Sequence, residues 1–362
     1  MKKGVIVILI IIFLGFSMFK VSGYQLTLTE IGELHTGSRT VGVYVNGNIL
    51  YALDLDRGLK IYNISDPATP EELGSYRDFY SFSHAFCYTN DLILIADYED
   101  KLEIVNVSNP SDPELIGHYR EVDSSVEHFG STNLHNTGNI VFLASQYEGV
   151  EIIDIKDPVN PIKLANYYFG KSINVVYAEN NLAFIREMGG GFKILEITNI
   201  TDPLELYHCS DVRTGQNFCV MNNLLYIPDS NFGLRIYNIS DPVNAFKVGE
   251  KGIDGTCMKC IVDDRGTGIF AYVSAEEEGL IILDVSDPEH IEEIGRYNDG
   301  GQSFSLFIQN NLVFVAEFSA GLEILQLNVE ETTQSGLSLG YNACFIISGL
   351  FIILFLKRKM KL

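Results

Sequence analysis

Three features of the sequence predict an all-β fold, a seven-bladed β-propeller: seven copies of one six-residue pattern, a spacing of 42 to 48 residues between them, and a lone strand before the first copy. A period near 42 residues with short strands is what a four-stranded blade requires. The copies are 59–64, 102–107, 150–155, 192–197, 234–239, 280–285 and 322–327.

Other positions keep register with the six-residue pattern, so each repeat is predicted to contain four strands. A glycine precedes the pattern in six of the seven repeats, with Lys101 as the exception, and suits a turn that needs positive φ. An Asp-Pro or Asn-Pro pair ends the strand in five repeats, as at Asp157-Pro158. An upstream strand has an aromatic residue in six repeats, and an acid recurs after it. The acids are Asp54, Asp97, Glu187, Asp229 and Glu317.

The two ends of the repeat region predict how the ring closes. The seventh repeat stops after its third strand, at about Asn328, whereas the strand Thr29–Leu34 stands alone before the first repeat. We expect this first strand to complete the seventh blade, because closure removes the exposed sheet edges that favour aggregation.

The repeat resembles the LVIVD repeat of bacterial and archaeal surface proteins, most clearly at Val150–Pro158 and Leu280–Pro288. The resemblance covers roughly residues 26–328 and implies a cell-surface propeller, but it supplies no reaction and no catalytic residues. The fourth repeat departs from the pattern, with Asn199-Ile200 where Asp-Pro is expected and Asp202-Pro203 three residues later. The seventh repeat lacks the turn.

Both ends of the chain carry membrane signals. Residues 1–23 are predicted to be a signal peptide, with Lys2 and Lys3 before 16 uncharged residues; an uncleaved anchor is the alternative. Residues 337–356 hold 20 residues without a charge and predict a transmembrane helix, followed by a basic tail at 357–362 that stays in the cytoplasm. The propeller, 24–328, and a linker, 329–336, would then lie outside the cell membrane.

The charge of the chain argues against nucleic acid as a partner. The formal net charge is −22, and the two ends of the chain, 1–23 and 337–362, hold seven of the 25 basic residues and no acids, which leaves 18 basic against 47 acidic residues between them. A surface this acidic repels phosphate backbones. It either serves solubility or attracts cations and basic partners.

No HExxH, GxxxxGK[ST] or GxSxG motif is present in the sequence. Propeller enzymes, however, assemble sites from single residues on several blades. His84 and His128 stand near the starts of predicted innermost strands, and Arg39 and Arg213 lie on comparable connections. These four residues form the predicted binding face; the alternative is that they are ordinary polar residues at loops and strand ends.

A calcium site is a weak prediction at Asp54 and Asp56, where the full loop spacing is missing, and no other cofactor is predicted. The alternative is a carboxylate that bonds backbone N–H groups in a turn. Five cysteines lie outside the predicted membrane helix, an odd number that argues against a disulfide scaffold. Cys257 and Cys260 are interpreted as buried thiols, with a redox pair, or a bond to Cys209 or Cys219, as the alternative.

Four asparagines stand in N-x-[ST] sequons and are possible glycosylation sites. They are Asn63, Asn106, Asn199 and Asn238. The first, second and fourth share one repeat position, so the repeat itself could have generated them.

The leading functional hypothesis is a non-catalytic, membrane-anchored binding module for a cell-surface protein, a glycan or another envelope component. An extracytoplasmic hydrolase or lyase, using acids with His84 or His128, and a structural part of a surface layer are the alternatives. A flat apolar patch would favour recognition. Convergent carboxylates and a histidine with a shifted pKa in a deep channel would favour catalysis.

Overall fold

A computed structural model describes residues 24–77, 83–97, 101–120, 131–145, 148–168, 170–212, 215, 217–318 and 321–331. The chain divides into two compact units. One is Leu26–Asn328; the other combines Met1–Gln25 with Val329–Leu362, and only 24–25 and 329–331 of it are described. The predicted signal peptide, transmembrane helix and basic tail therefore lie outside the described residues. Within those residues, no helix has the length and apolar character needed to span a membrane.

The described strands form seven four-stranded antiparallel sheets, which confirms the seven-bladed propeller. The chain starts with β1 (Tyr24–Leu34), which belongs to blade 7. Blade 1 contains β2 (Thr40–Asn46), β3 (Ile49–Asp54), β4 (Gly58–Asn63) and β5 (Glu71–Tyr76). Blade 2 contains β6 (Ser83–Thr89), β7 (Leu92–Asp97), β8 (Lys101–Asn106) and β9 (Glu114–Tyr119). Blade 3 contains β10 (Ser131–Thr137), β11 (Ile140–Ser145), β12 (Gly149–Asp154) and β13 (Ile162–Tyr167).

The remaining blades repeat this order. Blade 4 contains β14 (Ile173–Glu179), β15 (Leu182–Glu187), β16 (Phe192–Glu196) and β17 (Leu204–Cys209). Blade 5 contains β18 (Cys219–Met221), β19 (Leu224–Asp229), β20 (Gly233–Asn238), a 3₁₀ turn (Pro242–Asn244) and β21 (Phe246–Lys251). Blade 6 contains β22 (Lys259–Asp264), β23 (Ile269–Ser274), β24 (Leu280–Asp284) and β25 (Glu292–Tyr297). Blade 7 contains β26 (Ser303–Gln309), β27 (Leu312–Glu317) and β28 (Gly321–Glu331).

The first strand closes the ring. β1 is the outermost strand of blade 7 and lies beside β28, as the orphan strand in the sequence predicted. The strand begins at Tyr24 and is longer than the predicted Thr29–Leu34, and β28 runs to Glu331, three residues into the predicted linker. Leu34 packs with Leu322 and Ile324 in one apolar cluster, so both ends of the repeat region hold each other in place.

The core lies between neighbouring blades. Second strands are almost wholly buried, whereas fourth strands are mostly half-buried or exposed because no further strand covers them. Seven apolar clusters fill the spaces between strands, most of them shared by two neighbouring blades. Both faces of each second strand are therefore covered, as expected for sheets that pack face to face with their neighbours.

The antiparallel order divides the loops between two faces of the propeller. We call upper the face that carries the connections from fourth to first strands and the turns between second and third strands. The lower face carries the hairpins between first and second strands and the turns between third and fourth strands. Lys101, the exception to the glycine pattern, adopts a φ of 59° at the position where Gly149 has 84°.

At several junctions between blades, the turn that follows the third strand of one blade packs against a glycine in the fourth strand of the preceding blade. A Cβ atom on Gly117 would lie 2.0 Å from the carbonyl oxygen of Pro158, and one on Gly32 would lie 2.0 Å from that of Pro67. The Asp-Pro turn therefore docks on the neighbouring blade, and the close approach requires glycine.

Blade 4 keeps the turn although its sequence departs from the repeat. Asn199-Ile200 occupies the Asp-Pro position, because the N–H of Asp202 donates to the carbonyl of Asn199 at 3.1 Å, as Asn160 does to Asp157 in blade 3. Asp202-Pro203 ends this turn, just before β17 begins at Leu204. In blade 3 an alanine, Ala165, stands at the glycine position and packs in the same cluster as Ile200.

Candidate binding surface

Of the four residues of the predicted binding face, Arg39 is the one whose side chain falls within the described residues. Arg39 precedes β2 on the upper face, where its Nη2 donates to Oδ1 of Asp56 at 2.8 Å and its guanidinium lies 5.5 Å from the ring centre of Phe318. His84 lies in β6 but its side chain is outside the described residues, as are His128 and Arg213. Their joint role therefore stays a prediction.

Two of the recurrent acids, Asp54 and Asp229, hold the turns that follow them. Oδ1 of the buried Asp54 accepts hydrogen bonds from the backbone N–H groups of Asp56 at 3.0 Å and Arg57 at 2.9 Å. Asp229 accepts one from Asn231 at 2.9 Å in blade 5. Hydrogen bonds from Arg39 and Ser38 lower the pKa of Asp56. In the described part of the chain, no three His, Cys, Asp or Glu side chains are arranged to hold a metal ion.

The inner strands of blades 3 and 4 contain a histidine that the sequence analysis did not single out. The ring of His135 lies 4.4 Å from that of Tyr177, whose hydroxyl donates to Glu179 at 2.7 Å. Burial lowers the pKa of His135 to about 4, so the imidazole is neutral at physiological pH. The two rings stand 42 residues apart in the chain, one repeat length, and this spacing is the signal that could have found the pair.

The described cysteines are free thiols, and three of them share one core cluster between blades 5 and 6. Cys257 and Cys260 both pack in it; residues i and i+3 of one strand would point to opposite faces, but Cys257 precedes β22 rather than lying in it. Burial raises the pKa of Cys257 to about 12 and that of Cys219 to about 11. These observations fit the interpretation of buried thiols.

The shared sequon position is a turn position. Oδ1 of Asn63 accepts from the backbone N of Ser65 at 3.0 Å and from its hydroxyl at 2.7 Å, and Asn238 bonds Ser240 in the same way. Asp154 accepts from the backbone of Lys156 at the same place in blade 3. Asparagine and aspartate both make this turn, so the repeat accounts for the sequons at Asn63, Asn106 and Asn238.

An exposed row of apolar side chains crosses three neighbouring blades at their lower, outer edge. Ile162, Leu204 and Phe246 are the first residues of the fourth strands of blades 3, 4 and 5, and 62%, 59% and 57% of their surfaces are exposed. Val159 and Val243, in the preceding turns, are 59% and 55% exposed. We call these five residues the apolar row.

Blades 1, 2 and 6 carry glutamate where the apolar row carries Ile162, Leu204 and Phe246. Glu71, Glu114 and Glu292 are the first residues of the fourth strands in blades 1, 2 and 6, and all are exposed. The fold therefore accepts a charge at this position, and core packing does not demand an apolar residue there. An apolar patch with a polar border marks an interaction surface.

The upper edge of the same sector is apolar as well. Tyr168, Met188 and Phe232 are exposed on loops that follow β13, β15 and β19. Every large apolar side chain that is exposed in the described ranges lies between Leu115 and Phe246. One sector of the propeller is thus set apart from the acidic remainder.

Comparisons with known proteins agree with the fold. The LVIVD repeat profile matches residues 37–78, 91–121 and 267–299. No curated protein matches the sequence. The β-propeller domain of Myceliophteria thermophila Cps50 (Swd1) is 11% identical with a TM-score of 0.65, and the alignment covers 83% of this chain and 99% of that one.

Two further solved structures show the same fold at similarly low identity. The WD40 β-propeller domain of Doa1 is 10% identical with a TM-score of 0.64, covering 84% of this chain and 98% of that one. The computationally designed Ika8 protein is 12% identical with a TM-score of 0.59, covering 79% and 83%. The resemblance inferred from the repeats is confirmed at the three regions where the LVIVD repeat profile matches, and the described strands fold as a seven-bladed β-propeller.

Proposed function

We propose that this chain is a membrane-anchored binding module that recognises a protein partner through the apolar row. The main support is that Ile162, Leu204 and Phe246 are exposed at a position where blades 1, 2 and 6 have glutamate. Exposing apolar side chains to water is unfavourable, and covering them with a partner removes that cost.

The chemistry of the row favours a protein over a glycan. Four of its five side chains are branched aliphatic groups, which offer no hydrogen bonds to sugar hydroxyls. Apolar groups at the centre and charged groups at the border are the usual anatomy of a protein interface. Because glutamates border the row, the partner is expected to place basic residues around an apolar segment.

The membrane anchor is a part of the same proposal. Support comes from the 20 uncharged residues of 337–356 and the basic tail behind them, a combination typical of a membrane-spanning helix with a cytoplasmic end. With the N-terminal segment 1–23 as a secretion signal, the propeller would present its apolar row outside the cell membrane.

Site-specific photo-crosslinking of the full chain in membranes of expressing cells tests the proposal. A photoreactive amino acid at position 204 should give a discrete protein adduct, whereas the same amino acid at position 71 should not. The variant Ile162→Glu/Phe246→Glu, which copies the glutamates of blades 1, 2 and 6, should abolish the adduct at position 204 without unfolding the propeller.

Three results would contradict the proposal. Equal adducts at positions 204 and 71 would mean random encounter. An adduct that survives the double glutamate change would place the contact elsewhere. Crosslinks between two copies of this chain would favour a self-assembling surface layer instead.

A further inference from the structure

Four carboxyl groups meet where the propeller closes. Glu323 lies on β28, Glu317 ends β27, Glu30 lies on the closing strand β1, and Asp299 lies in the connection from blade 6 to blade 7. They come from the three strand segments and the one loop that must stay together for the ring to remain shut. This group is called the seam cluster.

Two members of the seam cluster are buried without a donor for one of their oxygens. Glu317 and Glu323 are only 2% and 3% exposed. Ser303 donates to Oε1 of Glu317 at 2.7 Å, but among the described residues no donor reaches Oε2 of Glu317 or Oε2 of Glu323. After burial itself, the neighbouring carboxyl group of Asp299 contributes most to raising the pKa of Glu323.

Glutamates at the same repeat position in two other blades have the partners that Glu323 lacks. Tyr76 donates to Glu103 at 2.9 Å, and Tyr119 donates to Glu151 at 3.0 Å. Nζ of Lys101 also lies 3.2 Å from Glu151. For Glu323 in blade 7, the corresponding tyrosine is Tyr297 of blade 6, and its hydroxyl donates to Glu30 instead, at 3.1 Å.

The cations on neighbouring elements bind other groups. Arg296 pairs with Glu278 and Glu293, Lys259 donates to Ser305, His35 pairs with Glu33, and Arg39 pairs with Asp56. In the part of the chain that the structure describes, the titratable groups that interact electrostatically with Glu323 are Asp299, Glu317, Glu30 and Tyr297. A buried carboxylate with acidic neighbours is costly, whereas a carboxyl that keeps its proton can donate it to a second carboxylate.

We propose that the seam cluster is a proton-dependent latch, in which Glu323 donates a hydrogen bond to Asp299 and holds the closing strand in place until alkaline pH removes that proton. Loss of the proton leaves Glu323 and Asp299 both negative, beside Glu317 and Glu30. The strain is relieved when β1, which carries Glu30, separates from β28.

The sign and the range of the effect follow from linkage. Burial and the neighbouring acids, Asp299 first, raise the pKa of Glu323 to about 9, far above the value of about 4.5 that it regains on unfolding. A carboxyl with a raised pKa in the folded state stabilises that state fully below pH 4.5 and loses the contribution as pH rises to 9. The opening constant should rise by up to about tenfold per pH unit in that range.

Hydrogen exchange on the full chain at pH 6 and pH 9 tests the latch. The amides of β13 serve as a reference in the same sample, because intrinsic exchange changes equally for both strands. In the unmodified protein, β1 should lose protection relative to β13 at pH 9 by roughly tenfold or more. In Glu323→Gln, whose amide can donate to Asp299 at any pH, the ratio should stay constant.

Glu151→Gln is the matched control. This substitution removes the carboxylate that pairs with Lys101. It should lower the free energy of unfolding similarly at both pH values and leave the pH dependence of β1 intact. If Glu323→Gln does not fold, Asp299→Asn should flatten the ratio in its place. A β1 to β13 ratio that is independent of pH in the unmodified protein, or equally dependent on pH in the Glu323 variant, would overturn the latch.

Discussion

Gly117→Ala tests whether the turn of one blade locks onto the preceding blade. A Cβ atom at position 117 would lie 2.0 Å from the carbonyl oxygen of Pro158, and also 3.2 Å from Cα of Val159. Contacts between a Cβ atom and oxygen below 3.0 Å essentially do not occur, so the turn would have to withdraw by about 1 Å or more.

The turn cannot withdraw without cost. Its shape is held by the carboxylate of Asp157, which accepts from the N–H of Val159 at 3.2 Å, and by the bond from Asn160 to the Asp157 carbonyl at 3.1 Å. We expect the substitution to lower the free energy of unfolding by about 3 kcal/mol, the upper end of the range for overpacking. In a domain of this size, that corresponds to roughly 6 °C in the melting temperature.

Thermal unfolding followed by circular dichroism measures the effect, with two controls from the same chain. Gly252→Ala places its Cβ in open space, with no atom within 4 Å, and should change the free energy of unfolding by less than about 0.5 kcal/mol. Ala165→Gly, at the equivalent site of blade 3, should cost no more than about 1 kcal/mol. Equal stabilities of the Gly117 and Gly252 variants would refute blade locking through this contact.

Two other predictions concern buried groups. Lys101→Met should lower the free energy of unfolding by about 3 kcal/mol in a denaturant titration, because it leaves the buried carboxylate of Glu151 with the more distant Lys163, at 3.4 Å, as its cationic partner. Adding Glu151→Gln should recover much of the loss, and no recovery would contradict the ion pair. The thiols of Cys257 and Cys260 should resist alkylation at pH 8 in the folded protein and react in denaturant, because both are buried and burial raises their pKa values. Mass spectrometry measures the labelling. Rapid labelling of the folded protein would contradict the prediction and show that the site opens.

Parts of the functional surface could have been predicted from the repeats, and parts could not. When the seven repeats are aligned with one another, Leu204 stands out. Its repeat position holds glutamate at Glu71, Glu114 and Glu292 but an apolar residue at Ile162, Leu204 and Phe246. Its exposure was not visible, because an apolar residue in a strand is as often buried. Arg39 was placed correctly near an inner strand, but its ion pair with Asp56 joins two loops and has no sequence signal.

The sequence by itself determined the number of blades, the four strands in each and the closing role of the first strand, because a repeated pattern imposes the same local sheet at each copy. Only the tertiary structure decided which side chains face water and which carboxyl groups meet. Glu103, Glu151 and Glu323 occupy one repeat position, yet tyrosine and lysine satisfy Glu151, while Glu323 faces other acids at the seam. The difference arises from the residues that neighbouring blades bring close in space, and the repeat pattern does not specify those residues.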